Sequence, residues 1–373
     1  MKRPSPILVT APVVLALALV ACGNLDDITT VKDLRVLAVR TDPAGFLVPL
    51  DDPASLMNTT ATITALVVDP LKPSDILTLT GQACPDYIDT ITSASGRNSK
   101  LCPGHDVTDK FPPPFDAALA TTELPSATTS ATMGSAIAYE PTVVYGLSGD
   151  RLAAFFAPSP TSDMNPAIAQ AIQFNRDFSL DALVNLTFTI GDETASALKR
   201  VVYWPLLPPD LVPAGTDCPA TQVPNSNPNL QGIGLFRHRT DGIPADELAA
   251  SPPTLSISTD ELFVQPAFDA TTPEHYLLRV KNAQTGAIET QCRKELLTFQ
   301  FFATAGTFSP PERTSELSPL LTVPDNGHIP IDSQYHPPKA DAVPADGNVT
   351  IWVVTRDERA GASWLSRTFV LTP

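Results

Sequence analysis

Proline is the residue that most narrows what this chain can become. It occurs 39 times in 373 residues, about twice the usual share of roughly 5%. Each proline lacks a backbone donor and fixes φ, so helix interiors and central strands exclude it. Long helical bundles are ruled out, and the remaining route to a core is short strands joined by proline-bearing loops. Apolar residues make up 43% of the chain, enough for a real core, and the length corresponds to about two domains at roughly 100–200 residues each. A formal charge of −16 opposes the phosphate contacts on which nucleic-acid binding rests, so no nucleic-acid partner is expected.

The first residues read as an export signal. Lys2 and Arg3 form a short positive region, and Ile7 to Val20 is an apolar stretch broken only by Thr10 and Pro12. A transmembrane helix needs roughly 20 apolar residues, whereas a signal-peptide core takes roughly 7–15. Residues 1–21 are therefore expected to be a cleaved signal peptide. The stretch ends in Leu19, Val20, Ala21 and Cys22, which resembles the lipobox of bacterial lipoproteins. The resemblance implies that Cys22 becomes the first residue of the mature chain, with a diacylglycerol on its sulfur and a further acyl group such as palmitate on its amino group. Two or more acyl chains hold a soluble body on a bilayer, at about 0.8 kcal/mol per buried CH₂. Gly23 beside the cysteine implies, by the same resemblance, sorting to the outer rather than the inner membrane. Residues 22–32 then read as a lipidated tether.

An exported chain meets an oxidising compartment, so an even set of cysteines reads as disulfides. The four that remain are Cys84, Cys102, Cys218 and Cys292. They allow three pairings; nearness favours Cys84 with Cys102 and Cys218 with Cys292. No CxxC occurs, and no histidine falls at metal-ligand spacing from a cysteine.

Beyond residue 32 the pattern is of strands and proline-rich loops. In Thr60 to Val68, Thr62 and Thr64 face one way while Ile63, Ala65 and Val67 face the other, as a half-buried strand requires. Further strands are expected at Leu34 to Arg40 and Ile76 to Thr80. Pro103 to Pro160 reads as a long irregular insertion. One short helix is expected at Pro166 to Phe174, with Asn165 as cap. A hairpin follows, Val184 to Ile190 returning through Gly191–Glu193 into Ala195 to Tyr203. Residues 206–229 read as a proline-rich linker. A second series is expected at Leu230 to Phe236, Tyr276 to Lys281, Ala287 to Cys292 and Leu296 to Ala303. It closes on Asn348 to Arg356, a turn at Asp357 to Gly361, and Ser363 to Leu371. The segments starting at Asn185 and Asn348 echo one another, which suggests two domains of one fold.

This organisation predicts an all-β protein of two antiparallel β-sandwich domains in tandem, over residues 33–205 and 230–373. The pattern resembles the immunoglobulin-like domains of bacterial surface proteins. Two segments, RVLAVRTDP at Arg35 to Pro43 and WVVTRDERAGASW at Trp352 to Trp364, are similar to the beginnings and ends of uncharacterised Gram-negative lipoproteins. The resemblance implies a location and a fold and carries no catalytic motif.

Chemistry is sparse. No GxSxG, HExxH, P-loop or GxGxxG is present. His105, His238, His275, His328 and His336 are scattered, and only His328, Asp332 and His336 form a cluster, in a loop stiffened by prolines. Asp51 with Asp52, Asp325 with Asn326, and Asp357 with Glu358 offer oxygens for calcium, but calcium takes 6–8 oxygens and none has the spacing of an EF-hand; solvated turns account for them. No cofactor is expected. Phe299, Phe301, Phe302, Phe308, Trp352, Trp364 and Phe369 are expected in the core, with an exposed platform for a sugar ring or a partner's side chain as the alternative. The resulting expectation is a lipid-anchored cell-envelope protein, non-catalytic, with a binding or structural role toward an envelope protein or glycan. The alternative is a carbohydrate-binding module or divergent hydrolase on a β scaffold.

Overall fold

The computed structural model describes residues 27–56, 60–71, 75–86, 122–130, 137–157, 166–213, 219–249, 252–257, 261–269, 272–316 and 329–372. Over these residues the fold is all-β, with two helices. The first sandwich comprises β1 (Arg35–Asp42), β2 (Gly45–Val48), β3 (Ala61–Val68), β4 (Leu77–Asp86), β5 (Thr122–Thr129), β6 (Ala138–Tyr139), β7 (Thr142–Tyr145), α1 (Gly149–Phe155), α2 (Pro166–Asp177), β8 (Leu180–Ile190) and β9 (Glu193–Pro205). One sheet has β3 at its centre, flanked by β1 and by β6 and β7; the other runs β2-β9-β8-β4-β5.

The second sandwich comprises β10 (Leu230–Thr240), β11 (Ile243–Glu247), β12 (Thr254–Ser256), β13 (Leu262–Phe268), β14 (His275–Lys281), β15 (Ile288–Lys294), β16 (Thr298–Ala303), β17 (Thr307–Ser309), β18 (Glu312–Thr314), β19 (Ser333–His336), β20 (Asn348–Arg356) and β21 (Ala362–Thr372). Its sheets run β11-β10-β13-β19-β17 and β12-β21-β20-β16-β18, and β14 pairs with β15 as a separate hairpin.

Both sandwiches follow one strand plan. The opening strand pairs antiparallel in the first sheet, β1 on β3 and β10 on β13. The chain then crosses and adds a parallel edge strand beside the last strand, β2 on β9 and β12 on β21. The final two strands form an antiparallel hairpin in the second sheet. Each unit is thus a sandwich of two facing sheets built on the same order of strands. The two echoing sequence segments occupy equivalent strands: Leu186, Phe188 and Ile190 on β8, and Val349, Ile351 and Val353 on β20, all point into their own sandwich and are fully buried.

Several elements differ from expectation. The insertion at Pro103 to Pro160 is not wholly irregular, because its described part contributes β5, β6, β7 and α1. Among the described residues there are two helices rather than one. α1 has its own cap at Ser148, whose side chain accepts from Arg151 N, and it buries Leu152 and Phe155 in the first core. A seven-residue helix leaves too short an apolar period to stand out in a proline- and threonine-rich stretch.

The sandwiches are not beads on a string. Leu37, Ala38, Leu66, Val68 and Ala138, on the outer face of the β1-β3-β6 sheet, pack against Phe302, Trp352, Val354 and Trp364, on the outer face of the β20 sheet. Four sheets therefore stack in series, with three apolar layers between them. Phe299, Phe301, Phe302, Phe308, Trp352, Trp364 and Phe369 are all buried, the largest exposure being 8%. Phe299, Phe301, Phe308 and Phe369 fill the second core, while Phe302, Trp352 and Trp364 fill the contact between sandwiches. The platform alternative is thereby overturned. Polar contacts surround this layer. Trp364 Nε1 donates to Glu140 Oε1 at 2.8 Å, Arg356 Nη2 donates to Leu37 O at 2.6 Å, and the Arg40 guanidinium lies 4.6 Å from the Trp364 ring centroid. The segments Arg35 to Pro43 and Trp352 to Trp364 thus both contribute to one contact.

The segments at either end of the first sandwich also weld it to the second. Residues 22–32 were expected to be a free tether, yet Val31 N donates to Ala303 O at 2.8 Å and Ala303 N to Thr29 O at 2.8 Å. Thr29 and Val31 are buried, so any tether ends by Ile28. The linker is equally engaged. Asn227 Nδ2 donates to Thr41 O at 2.8 Å in the first sandwich, and its Oδ1 accepts from Ala362 N at 3.0 Å in the second. Asn227→Ala is expected to cost about 1–3 kcal/mol, since both backbone partners lose their bond; urea titration measures it.

Candidate binding cleft at the domain junction

The turn between β20 and β21 is tied by its first residue. Asp357 Oδ1 accepts from Arg359 N at 2.8 Å and Gly361 N at 2.7 Å, and Oδ2 accepts from Asn225 Nδ2 of the linker at 3.1 Å. A Cβ at Gly361 would lie 2.1 Å from Asp357 Oδ2, so only glycine fits there. Burial raises the Asp357 pKa, and these N–H donors pull it back. On the first sandwich, Lys199 Nζ donates to Ala360 O of the same turn. Burial brings the Lys199 ammonium down to about 8, with Asp357 opposing.

Arg359 leaves this turn and is buried beneath the β14–β15 hairpin. Its Nε donates to Glu295 Oε1 at 2.6 Å, its Nη2 to Glu274 Oε2 at 2.5 Å, and its guanidinium lies 4.6 Å from the Tyr276 ring centroid. Tyr276 in turn donates from its hydroxyl to Glu358 Oε1 at 2.6 Å. Burial pushes Glu295 up to about 7, with Arg359 drawing it down and Asp357 adding to the rise. The hairpin itself is shaped by Asn282, whose Oδ1 accepts from Gln284 N and Thr285 N, and by Gly286 at φ 72°. It is fixed to the first sandwich by Arg279, 3.5 Å from Asp177.

Above this network opens a cleft of about 270 Å³, walled by several parts of the chain. Arg200 and Trp204 come from β9, Val223 from the linker, Tyr276 and Arg293 from the hairpin, and Glu358 from the turn. Trp204 packs closely on Gly45 of the adjacent strand, where a Cβ would come within 2.1 Å of the indole. Trp204 remains partly exposed. Arg200 pairs with Asp181 at 3.1 Å. Arg293 forms no ion pair among the described residues, its guanidinium donating to Gln291 Oε1 at 3.3 Å.

The residues singled out in the sequence fare differently. Cys22, Cys102, Cys218, His105, His328, Asp325 and Asn326 lie outside the described residues, as does the side chain of Cys84. Cys292, on β15, is disulfide-bonded rather than a free thiol. Asp332 is fully buried and paired with Arg239, whose Nε donates to Oδ2 at 2.9 Å, so its carboxylate serves an ion pair and not a cluster with His336. His238, His275 and His336 are exposed on separate strands. Of the pair Asp357 and Glu358, Asp357 accepts N–H donors at both oxygens and Glu358 Oε1 accepts from the Tyr276 hydroxyl. No group of three or more histidine, cysteine, aspartate or glutamate side chains suited to a metal occurs among the described residues. The cleft itself was missed; its walls come from residues 47 to 359, and only the tertiary fold unites them.

Fold and cleft define an all-β, two-sandwich protein with a mixed polar and aromatic cleft at the junction. No protein-family model and no curated protein matches the chain. Among solved structures, it is similar to the crystal structure of dimeric latent PorU from Porphyromonas gingivalis, with 10% identity and a TM-score of 0.19, over 91% of this chain and 24% of that one. The chain thus spans about a quarter of that protein's length. No helix among the described residues is long and apolar enough to cross a membrane.

Proposed function

We propose that this chain is a lipid-anchored cell-envelope protein with a non-catalytic binding role, exported by residues 1–21, acylated at Cys22 and held at the outer membrane. The observation that carries the binding role is the junction cleft, whose walls belong to both sandwiches and whose floor is locked by the Arg359 network. Glu274, Glu295 and Asp357 beneath it are engaged by Arg359 and by N–H donors, which favours binding over hydrolysis on this scaffold. The partner is an envelope protein or a glycan, and no cofactor is invoked. Disulfides Cys84 to Cys102 and Cys218 to Cys292 complete the reading. The second is favoured by Gln222 and Val223, a few residues from Cys218, which line the same cleft as the hairpin that bears Cys292.

With Thr29 docked on the second sandwich, the lipid at Cys22 lies at most about 25 Å from the body, at ~3.6 Å per residue. The test is intact mass and membrane fractionation of wild type and Cys22→Ala. Wild type is expected to carry acyl mass and to sediment with membranes, and the variant to lose both. A water-soluble wild type of unmodified mass refutes the anchor.

A further inference from the structure

We infer that the junction cleft binds a sugar ring bearing a carboxylate; this rests on the binding role proposed above and gives it a ligand class. Three observations meet in the cleft. Trp204 offers an indole that is backed by Gly45 and lines the cleft on a partly exposed residue, the kind of rigid apolar surface against which a sugar's C–H face packs. Arg293 offers an exposed guanidinium without a carboxylate partner among the described residues, on a chain whose net charge is −16. Bidentate pairing with a carboxylate is what such a planar fork is shaped for. Glu358 is held by the Tyr276 hydroxyl, which fixes an acceptor for sugar hydroxyls in the same wall. The volume, about 270 Å³, falls just below the ~300–1,000 Å³ of pockets for drug-sized ligands, and so suits one ring rather than a long chain.

The chain's fluorescence isolates the site. It has three tryptophans, and Trp352 and Trp364 are buried between the sandwiches, so Trp204 is the one a cleft ligand perturbs. The experiment titrates galacturonate into the full mature chain, both acylated in detergent and as Cys22→Ala, with galactose and an acidic tripeptide alongside. Saturable change of the Trp204 emission by galacturonate is expected in both forms, with galactose at least tenfold weaker. Arg293→Gln is expected to weaken galacturonate at least tenfold, leaving its melting temperature and the galactose titration unchanged. Trp204→Phe abolishes the signal, and calorimetry on it should show weakened galacturonate binding. No saturable galacturonate binding, equal binding of galactose, or tighter binding of the tripeptide overturns the inference. Because Cys22→Ala is tested for binding directly, failure of the ligand and failure of the anchor are told apart.

Discussion

Replacing Trp352 with alanine is expected to cost about 3–5 kcal/mol and to separate the unfolding of the two sandwiches. Trp352 is 1% exposed, yet its side chain serves neither sandwich core. It lies between them, beside Phe302, Val354 and Trp364 and against Leu37, Leu66 and Val68. Removing it leaves a cavity in a layer of ten buried residues, and the rigid sheets on both sides cannot close it. Phe299→Ala is the control. Phe299 is equally buried but faces the second core, so that variant should lose similar stability while keeping a single transition. Urea unfolding followed by fluorescence and far-UV circular dichroism distinguishes them.

The second large effect is at Arg359. Truncation to alanine leaves Glu295, 1% exposed, without its counter-ion, and breaking one side of a buried pair costs about 3–5 kcal/mol. The loss depends on pH with a definite sign. Glu295 titrates at about 7 in the folded wild type against an ordinary 4.5. Between those values the folded state binds more protons than the unfolded one, so Glu295 lowers stability as pH rises through that window. Without Arg359 the carboxyl is driven higher still, and the unfavourable slope extends above pH 7. The deficit of Arg359→Ala is therefore expected to be largest near pH 8 and to shrink toward pH 5. Adding Glu295→Gln should flatten the slope. Unfolding curves at pH 5, 6.5 and 8 measure both.

The strands and their inward faces were legible because a half-buried strand alternates. What alternation hid was the second buried face. On β3 the residues opposite the core read Thr62, Thr64, Leu66 and Val68; the first is exposed and the last two are buried against the other sandwich. On β20 the same face reads Asn348, Thr350, Trp352 and Val354, again turning from polar to apolar halfway along. A strand whose outer face becomes apolar at one end signals a partner there. In β1 the signal is blurred by a register shift between Val36 and Ala38, which brings Leu37 and Ala38 together into the contact. The buried charges were not legible at all. Glu274, Glu295 and Arg359 are ordinary surface residue types, and only the hairpin folding over the β20–β21 turn places them together. Thr29 to Val31 reads as tether because three residues carry no period; its docking depends on an edge more than 270 residues away.

Differential scanning calorimetry of the Cys22→Ala chain tests the welding of the two sandwiches most directly. The stacked sheets, the docked Thr29 to Val31 segment and the Asn227 bridge predict one endotherm, with calorimetric and van't Hoff enthalpies in a ratio near one. Two resolved endotherms, or a single one with a ratio near two, would mean that the sandwiches melt independently and that the cleft between them is not a fixed feature of the molecule.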